Sequence, residues 1–130
     1  KGFLPSVSLL ALLSFNTVVA QVTVQHLLTE NRVNPVGLDV PQPRFSWQLQ
    51  SPRRNTMQTA YELKVWDGRQ KEIWSSGKVN SDQSRWVPYQ GPALQSGTKY
   101  FWQVRVWDNH GKSLTWSAPA FWQTALFNKE

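Results

Sequence analysis

The segment at residues 94–107, Leu-Gln-Ser-Gly-Thr-Lys-Tyr-Phe-Trp-Gln-Val-Arg-Val-Trp, constrains the fold more than any other part of the chain. From Tyr100 onward its side chains alternate between two faces, and a period of two residues predicts a β-strand. Leu94 and the turn Ser96-Gly97 stand just before that strand. This spacing predicts a tyrosine corner, in which the buried phenol of Tyr100 hydrogen-bonds to the backbone upstream of it.

A tyrosine corner is typical of immunoglobulin-like sandwiches, and short β-rich runs separated by Asn, Pro, Gly and Ser clusters agree with that fold class. We predict an all-β, seven-stranded antiparallel immunoglobulin-like or fibronectin type III β-sandwich. The Pro-rich segment 34–43 should be an edge or a crossover, because proline cannot pair within a central strand. The expected strands cover residues 22–29, 44–50, 59–66, 72–74, 85–89, 100–107 and 118–125. The expected core includes Trp47, Tyr61, Tyr100, Trp102, Val104 and Trp122.

Residues 1–20 have the pattern of a secretory signal peptide, with an apolar run at 7–13 and the small residue Ala20 at the expected cleavage site. The sandwich should then cover residues 21–126, and residues 127–130 should begin a linker to a following domain. The apolar run is too short to span a bilayer, and Gln21 is not the cysteine of a lipid anchor. We therefore expect an exported protein, periplasmic or extracellular in a bacterium, with no membrane partner after cleavage.

Composition excludes several classes of function. The chain has 130 residues with 8 Trp and no Cys, so aromatic packing must supply one core without disulfides. The net charge of +6 comes from 14 scattered basic residues, which predicts no nucleic-acid partner because a binding footprint would cluster them. His26 and His110 lie far apart, without cysteine or a second histidine at ligand spacing. Neither a metal site nor a cofactor is expected.

Five regions together resemble one family, although each alone would indicate only a sandwich. These regions are residues 34–39 with 43–47, 58–61, 73–79, 100–107, and 116–119 with 124–126. Their combination is similar to the N-terminal fibronectin-type module of bacterial α-L-rhamnosidases, glycoside hydrolase family 78, over nearly all of residues 24–126. The resemblance implies that further β-sandwich domains and an (α/α) barrel follow, and that acidic residues of the barrel remove terminal rhamnose with inversion. It therefore implies that this chain is a non-catalytic module of an exported enzyme.

The acidic residues of the chain give no independent sign of catalysis. Inverting glycoside hydrolysis needs two carboxyl groups roughly 6.5–9.5 Å apart. Asp67 and Asp108 end two strands that we predict to be antiparallel neighbours, which separates them by roughly 25 Å at ~3.4 Å per residue. Both should be turn residues, and no catalytic residue is expected.

The outward face of the predicted sheet carries the candidate site. A register that places Trp66 opposite Phe101 also places Glu62 opposite Arg105, a favourable charge pair. Phe121 on the last strand would extend this pair into a row of three rings. We predict that this apolar patch contacts the following domains of the parent enzyme, because large exposed patches mark interfaces.

Two other uses of the sandwich stay open. The first is a carbohydrate-binding module whose rings stack on sugars, and the second is an autonomous adhesion domain. We expect few hydrogen-bonding groups beside the patch, and this favours domain packing over sugar recognition.

Overall fold

The computed structural model describes Gly2 and residues 22–127, which form two packed β-sheets. Apart from Gly2, the expected signal peptide lies outside the described residues, as do the expected mature N-terminus at Gln21 and residues 128–130. In the part of the chain that the structure describes, no helix is long and apolar enough to cross a membrane.

Within residues 22–127, eight strands make up the two sheets. The smaller sheet has the order β1-β3-β6, and the larger has the order β2-β8-β7-β4-β5. All seven expected strands are present, so the prediction of an all-β sandwich is confirmed. The strands are β1 (Thr23–Thr29), β2 (Val36–Leu38), β3 (Arg44–Gln50), β4 (Gln58–Asp67), β5 (Glu72–Ser75), β6 (Val87–Pro88), β7 (Lys99–Asp108) and β8 (Ala120–Thr124).

The eighth strand, β2, differs from the expectation of a purely antiparallel sandwich. It lies in the Pro-rich segment and pairs in parallel with β8, with Val36 opposite Gln123 and Leu38 opposite Thr124. The chain crosses here from the smaller sheet to the larger and then returns. The segment is therefore both an edge and a crossover. Its three residues fit between prolines because an edge strand forms ladder bonds on only one side.

The core forms where the inward faces of the two sheets meet. All six residues expected there are buried, and Trp102, Val104 and Trp122 have no exposed surface. The ring of Phe45 lies 4.5 Å from Trp102 and 5.4 Å from Trp122, measured between centroids. Because each such ring can bury roughly 150–250 Å², this aromatic cluster supplies the stability that a disulfide would otherwise add.

Two buried indoles have hydrogen-bond partners. Trp47 Nε1 donates to Gln58 Oε1 at 2.8 Å, and Trp102 Nε1 donates to Thr29 Oγ1 at 3.1 Å. The other end of the Gln58 amide donates to the carbonyls of Ser81 and Gln83. One buried glutamine therefore satisfies a core indole and also fixes the segment that leads into β6.

Candidate contact surface

The three aromatic residues of the predicted site form a row on the outward face of the larger sheet. Trp66 on β4 pairs with Phe101 on β7, which pairs with Phe121 on β8. The Trp66 and Phe101 rings are stacked, with centroids 6.1 Å apart and an angle of 14° between their planes. The centroids of Phe101 and Phe121 are 6.4 Å apart. The structure therefore brings the three rings together.

The register that predicted the row is also present. Glu62 lies opposite Arg105, and Arg105 Nη2 donates to Glu62 Oε1 at 2.6 Å. Because a slip of one residue would turn every side chain to the opposite face, this ion pair and the stacked Trp66 and Phe101 rings specify the same pairing.

The surroundings of the row differ from the expectation. All three rings are partly buried, and Lys99 Nζ lies 4.0 Å from the ring centroid of Phe121 and 5.5 Å from that of Phe101. The expectation of few hydrogen-bonding groups was therefore wrong. The outward positions of a sheet that faces solvent are mostly polar, and on β7 the outward neighbours of Phe101 are Lys99 and Gln103.

Beside Trp66 the sheet forms a shallow groove. Four of the five side chains that line it are polar: Lys64, Gln70, Glu72 and Gln103. The surface around the row is therefore an aromatic strip with donors and acceptors along one side.

The other half of the outward face is covered by the chain itself. The ring of Trp116, from the loop before β8, lies 4.7 Å from Lys64 Nζ and 4.9 Å from the guanidinium carbon of Arg105. The same guanidinium lies 4.8 Å from the Trp107 ring, whose centroid is also 4.8 Å from Lys78 Nζ. Alternating cations and rings hold this loop against the sheet. The row of Trp66, Phe101 and Phe121 therefore lies on the half that this loop leaves open.

Two tyrosines fix the loop at residues 91–98, which lies at the end of the sheet nearest the row. Tyr100 Oη accepts a hydrogen bond from the Gln95 backbone N–H at 2.9 Å, so the predicted tyrosine corner is confirmed. Tyr89 Oη donates to the Pro92 carbonyl at 2.7 Å, and burial of the phenol raises the pKa of Tyr89 to about 12. The loop is therefore held from both sides.

The carboxylates of Asp67 and Asp108 stabilise the turns that follow β4 and β7. Asp67 Oδ1 accepts from the backbone N–H groups of Arg69 and Lys71, and Asp108 Oδ1 does the same for His110 and Lys112. The β4–β7 register puts the two carboxylates at opposite ends of the sheet. Among the described residues, no group of three or more His, Cys, Asp or Glu side chains could hold a metal ion.

Taken together, the two sheets, the tyrosine corner and the aromatic core define an immunoglobulin-like β-sandwich module. The sequence model of the family "Rha78A-like, N-terminal immunoglobulin domain" matches residues 24–128. The chain therefore belongs to this family of N-terminal domains, and the resemblance drawn from the sequence is confirmed.

Individual relatives agree with the family match. An α-L-rhamnosidase of Streptomyces avermitilis is 46% identical over 96 residues, which are 71% of this chain and 9% of that protein. One from Formosa agariphila is 31% identical over 109 residues, which are 79% of this chain and 11% of that protein. The chain spans about a tenth of the length of these relatives.

Solved structures give the same result. The crystal structure of the Streptomyces avermitilis α-L-rhamnosidase complexed with L-rhamnose superposes with a TM-score of 0.77 at 41% identity, over 81% of this chain and 11% of that one. The α-L-rhamnosidase from Dictyoglumus thermophilum also gives 0.77, at 32% identity, over 82% of this chain and 13% of that one.

Proposed function

We propose that this chain is a non-catalytic N-terminal module of an exported α-L-rhamnosidase, which hydrolyses terminal rhamnose from glycans. The observation that supports this most strongly is that the chain matches only about a tenth of each relative while forming a sandwich of its own. The carboxylates of Asp67 and Asp108 accept hydrogen bonds within turns at opposite ends of one sheet. At that separation they cannot act as an acid and base pair. The chemistry then belongs to other domains of the parent.

Within the parent, we propose that the row of Trp66, Phe101 and Phe121 contacts a following domain. The mixed character of this surface suits such a contact, because interfaces between domains of one chain are more polar than obligate interfaces. The row is also close to the C-terminal end of the module. Phe121 precedes Leu126 by five residues, roughly 15–20 Å of extended chain. A tethered domain has a high effective concentration at that distance.

A carbohydrate-binding role is the second candidate, and the groove beside Trp66 favours it. A sugar can place its apolar face on an indole, and Lys64, Gln70, Glu72 and Gln103 offer donors and acceptors for its hydroxyl groups. The groove is shallow, so it would bury little of a sugar. We therefore keep domain contact as the main proposal.

Activity measurements test the proposed function. We expect the purified chain to release no rhamnose from an aryl rhamnoside, and the full-length gene product to release it. Hydrolysis by the chain alone, surviving substitution of both Asp67 and Asp108, would show that this module contains a catalytic site. A full-length product without rhamnosidase activity would refute the proposed parent.

A titration separates the two candidate roles of the row. Rhamnose and rhamnosylated glycans are added to the purified chain, to Trp66→Ala and to Trp86→Ala, and heat release is recorded. Trp86 is the matched control because it is an exposed tryptophan, 44% accessible, beside the smaller sheet. Domain contact predicts no saturable binding by any of the three proteins. Binding that only Trp66→Ala abolishes would establish the carbohydrate-binding role.

A further inference from the structure

Leu126 is exposed although the backbone around it is fixed. Its side chain is 82% accessible. On one side of it, the Ala125 N–H donates to the Leu38 carbonyl and the Ala125 carbonyl accepts from the Gly97 N–H. On the other side, the Phe127 N–H donates to Ser96 Oγ at 2.9 Å. A leucine held outward in this way is not an effect of a loose terminus, because the residues before and after it belong to the fold.

The partners that hold this segment are themselves rigid. Ser96 and Gly97 belong to the loop that Tyr89 and Tyr100 clamp. Thr124 adds two further bonds to the same loop: its Oγ1 donates to the Gln95 carbonyl at 2.6 Å and accepts from the Thr98 N–H at 2.9 Å. The sandwich therefore fixes the backbone of residues 124–127.

A cleft opens at the same end of the molecule. It has a volume of about 890 Å³ and lies between the β4–β5 turn and the loop at residues 91–98. Its lining includes three cations, Arg69, Lys71 and Lys99, and two anions, Asp67 and Glu72. The lining therefore carries an excess of one positive charge, which favours an acidic partner segment.

We propose that the polypeptide that follows this module docks on this end of the sandwich, with Leu126 inserted into an apolar socket of the next domain and an acidic segment of that domain in the cleft. The module is then coupled rigidly to the enzyme and does not move independently of it. This inference rests on the proposed function only in that it requires a further domain after the module. It goes further in naming the contact residue and the chemistry of the partner surface.

The test compares Leu126→Asp with Met57→Asp, in the purified chain and in the full-length gene product. Met57 is a matched control because it is 63% exposed and hydrogen-bonds to Asn109, at the opposite end of the larger sheet. Surface substitutions change little, so both variants of the isolated chain should melt close to the unsubstituted chain. In the full-length protein, Leu126→Asp should lower the melting temperature of the module by about 4 °C or more. It should also speed proteolytic cleavage just after Phe127, whereas Met57→Asp should do neither.

The two proposals fail in different ways. If Leu126→Asp and Met57→Asp behave alike in an active full-length rhamnosidase, the docking proposal is wrong and the proposed function stands. If the full-length product has no rhamnosidase activity but Leu126→Asp still uncouples the module, the docking proposal stands and the proposed function is wrong. A gene product with no domain after the module would overturn both.

Discussion

Replacing Gly91 by alanine tests the packing that holds the loop at residues 91–98. A Cβ atom added at Gly91 would lie 2.5 Å from Tyr89 Oη, 2.6 Å from Tyr89 Cζ and 2.7 Å from Trp74 Cβ. All three distances are shorter than a carbon atom tolerates. Tyr89 has little room to move, because it is 1% accessible and its ring lies edge-on to Trp74 with centroids 5.2 Å apart.

The cost of Gly91→Ala follows from these contacts. Overpacking of a well-filled core costs about 1–3 kcal/mol, and displacement of the Tyr89 hydroxyl would also break its bond to the Pro92 carbonyl. For a domain of this size, about 1–3 kcal/mol corresponds to a fall in melting temperature of about 4–24 °C. We therefore expect a clear loss of stability from the addition of one methyl group.

Urea unfolding of the purified chain, followed by tryptophan fluorescence, measures this loss. The matched control is Gly68→Ala, where the added Cβ would meet only the Lys99 carbonyl oxygen, at 3.9 Å. It should leave the midpoint unchanged or raise it slightly, because alanine restricts the unfolded chain more than glycine does. Equal midpoints for Gly91→Ala and the unsubstituted chain would refute the packing described for this loop.

Three further predictions address other parts of the molecule. Tyr100→Phe removes the acceptor of the Gln95 N–H and should cost about 0.5–1.5 kcal/mol in urea unfolding; an unchanged midpoint would show that water replaces the corner bond fully. Arg44 lowers the pKa of Glu30 below 4.5, so the pair should stabilise the fold above that pH and less as pH falls through the lowered pKa. The gap in urea midpoint between the unsubstituted chain and Glu30→Gln should accordingly shrink in acid, and a constant gap would contradict this. N-terminal sequencing of protein exported by a bacterial host should begin at Gln21, and an intact Lys1 would count against the signal peptide.

Alternation of side chains predicted most of the fold. The inward positions of β7 and β8 could be identified because bulky apolar residues recur every second position, and one face of a sheet must be buried. The same periodicity, together with the charges of Glu62 and Arg105, predicted the β4–β7 register. The same register places Trp66 beside Phe101.

Other features could not be predicted, because they depend on contacts between distant segments. Nothing in the local sequence of β2 indicates that it pairs in parallel with β8. The position of Trp116 over Lys64 and Arg105 depends on how a loop folds back on the sheet. Similarly, Gly91 resembles an ordinary turn residue until the ring of Tyr89 is placed beside it.

The polar surroundings of the row could not be predicted from the sequence for a related reason. Along β4 and β7, the sequence predicts which side chains point outward. It does not indicate that Lys99 lies over Phe121 or that residues of the β4–β5 turn and β5 line the groove beside Trp66. The sequence therefore predicts an apolar patch, whereas polar groups from neighbouring strands and turns make the surface around the row a mixed one.

The measurement that tests the central claim most directly is thermal unfolding of Trp66→Ala in two contexts, the purified chain and the full-length gene product. In the purified chain the substitution removes the burial of the indole and also its stack on Phe101, and the stack adds about 0.5–1.5 kcal/mol to the loss of stability. If the row packs against a following domain, the same substitution should destabilise the module distinctly more in the full-length protein. An equal loss in both contexts would contradict a packing role for the row.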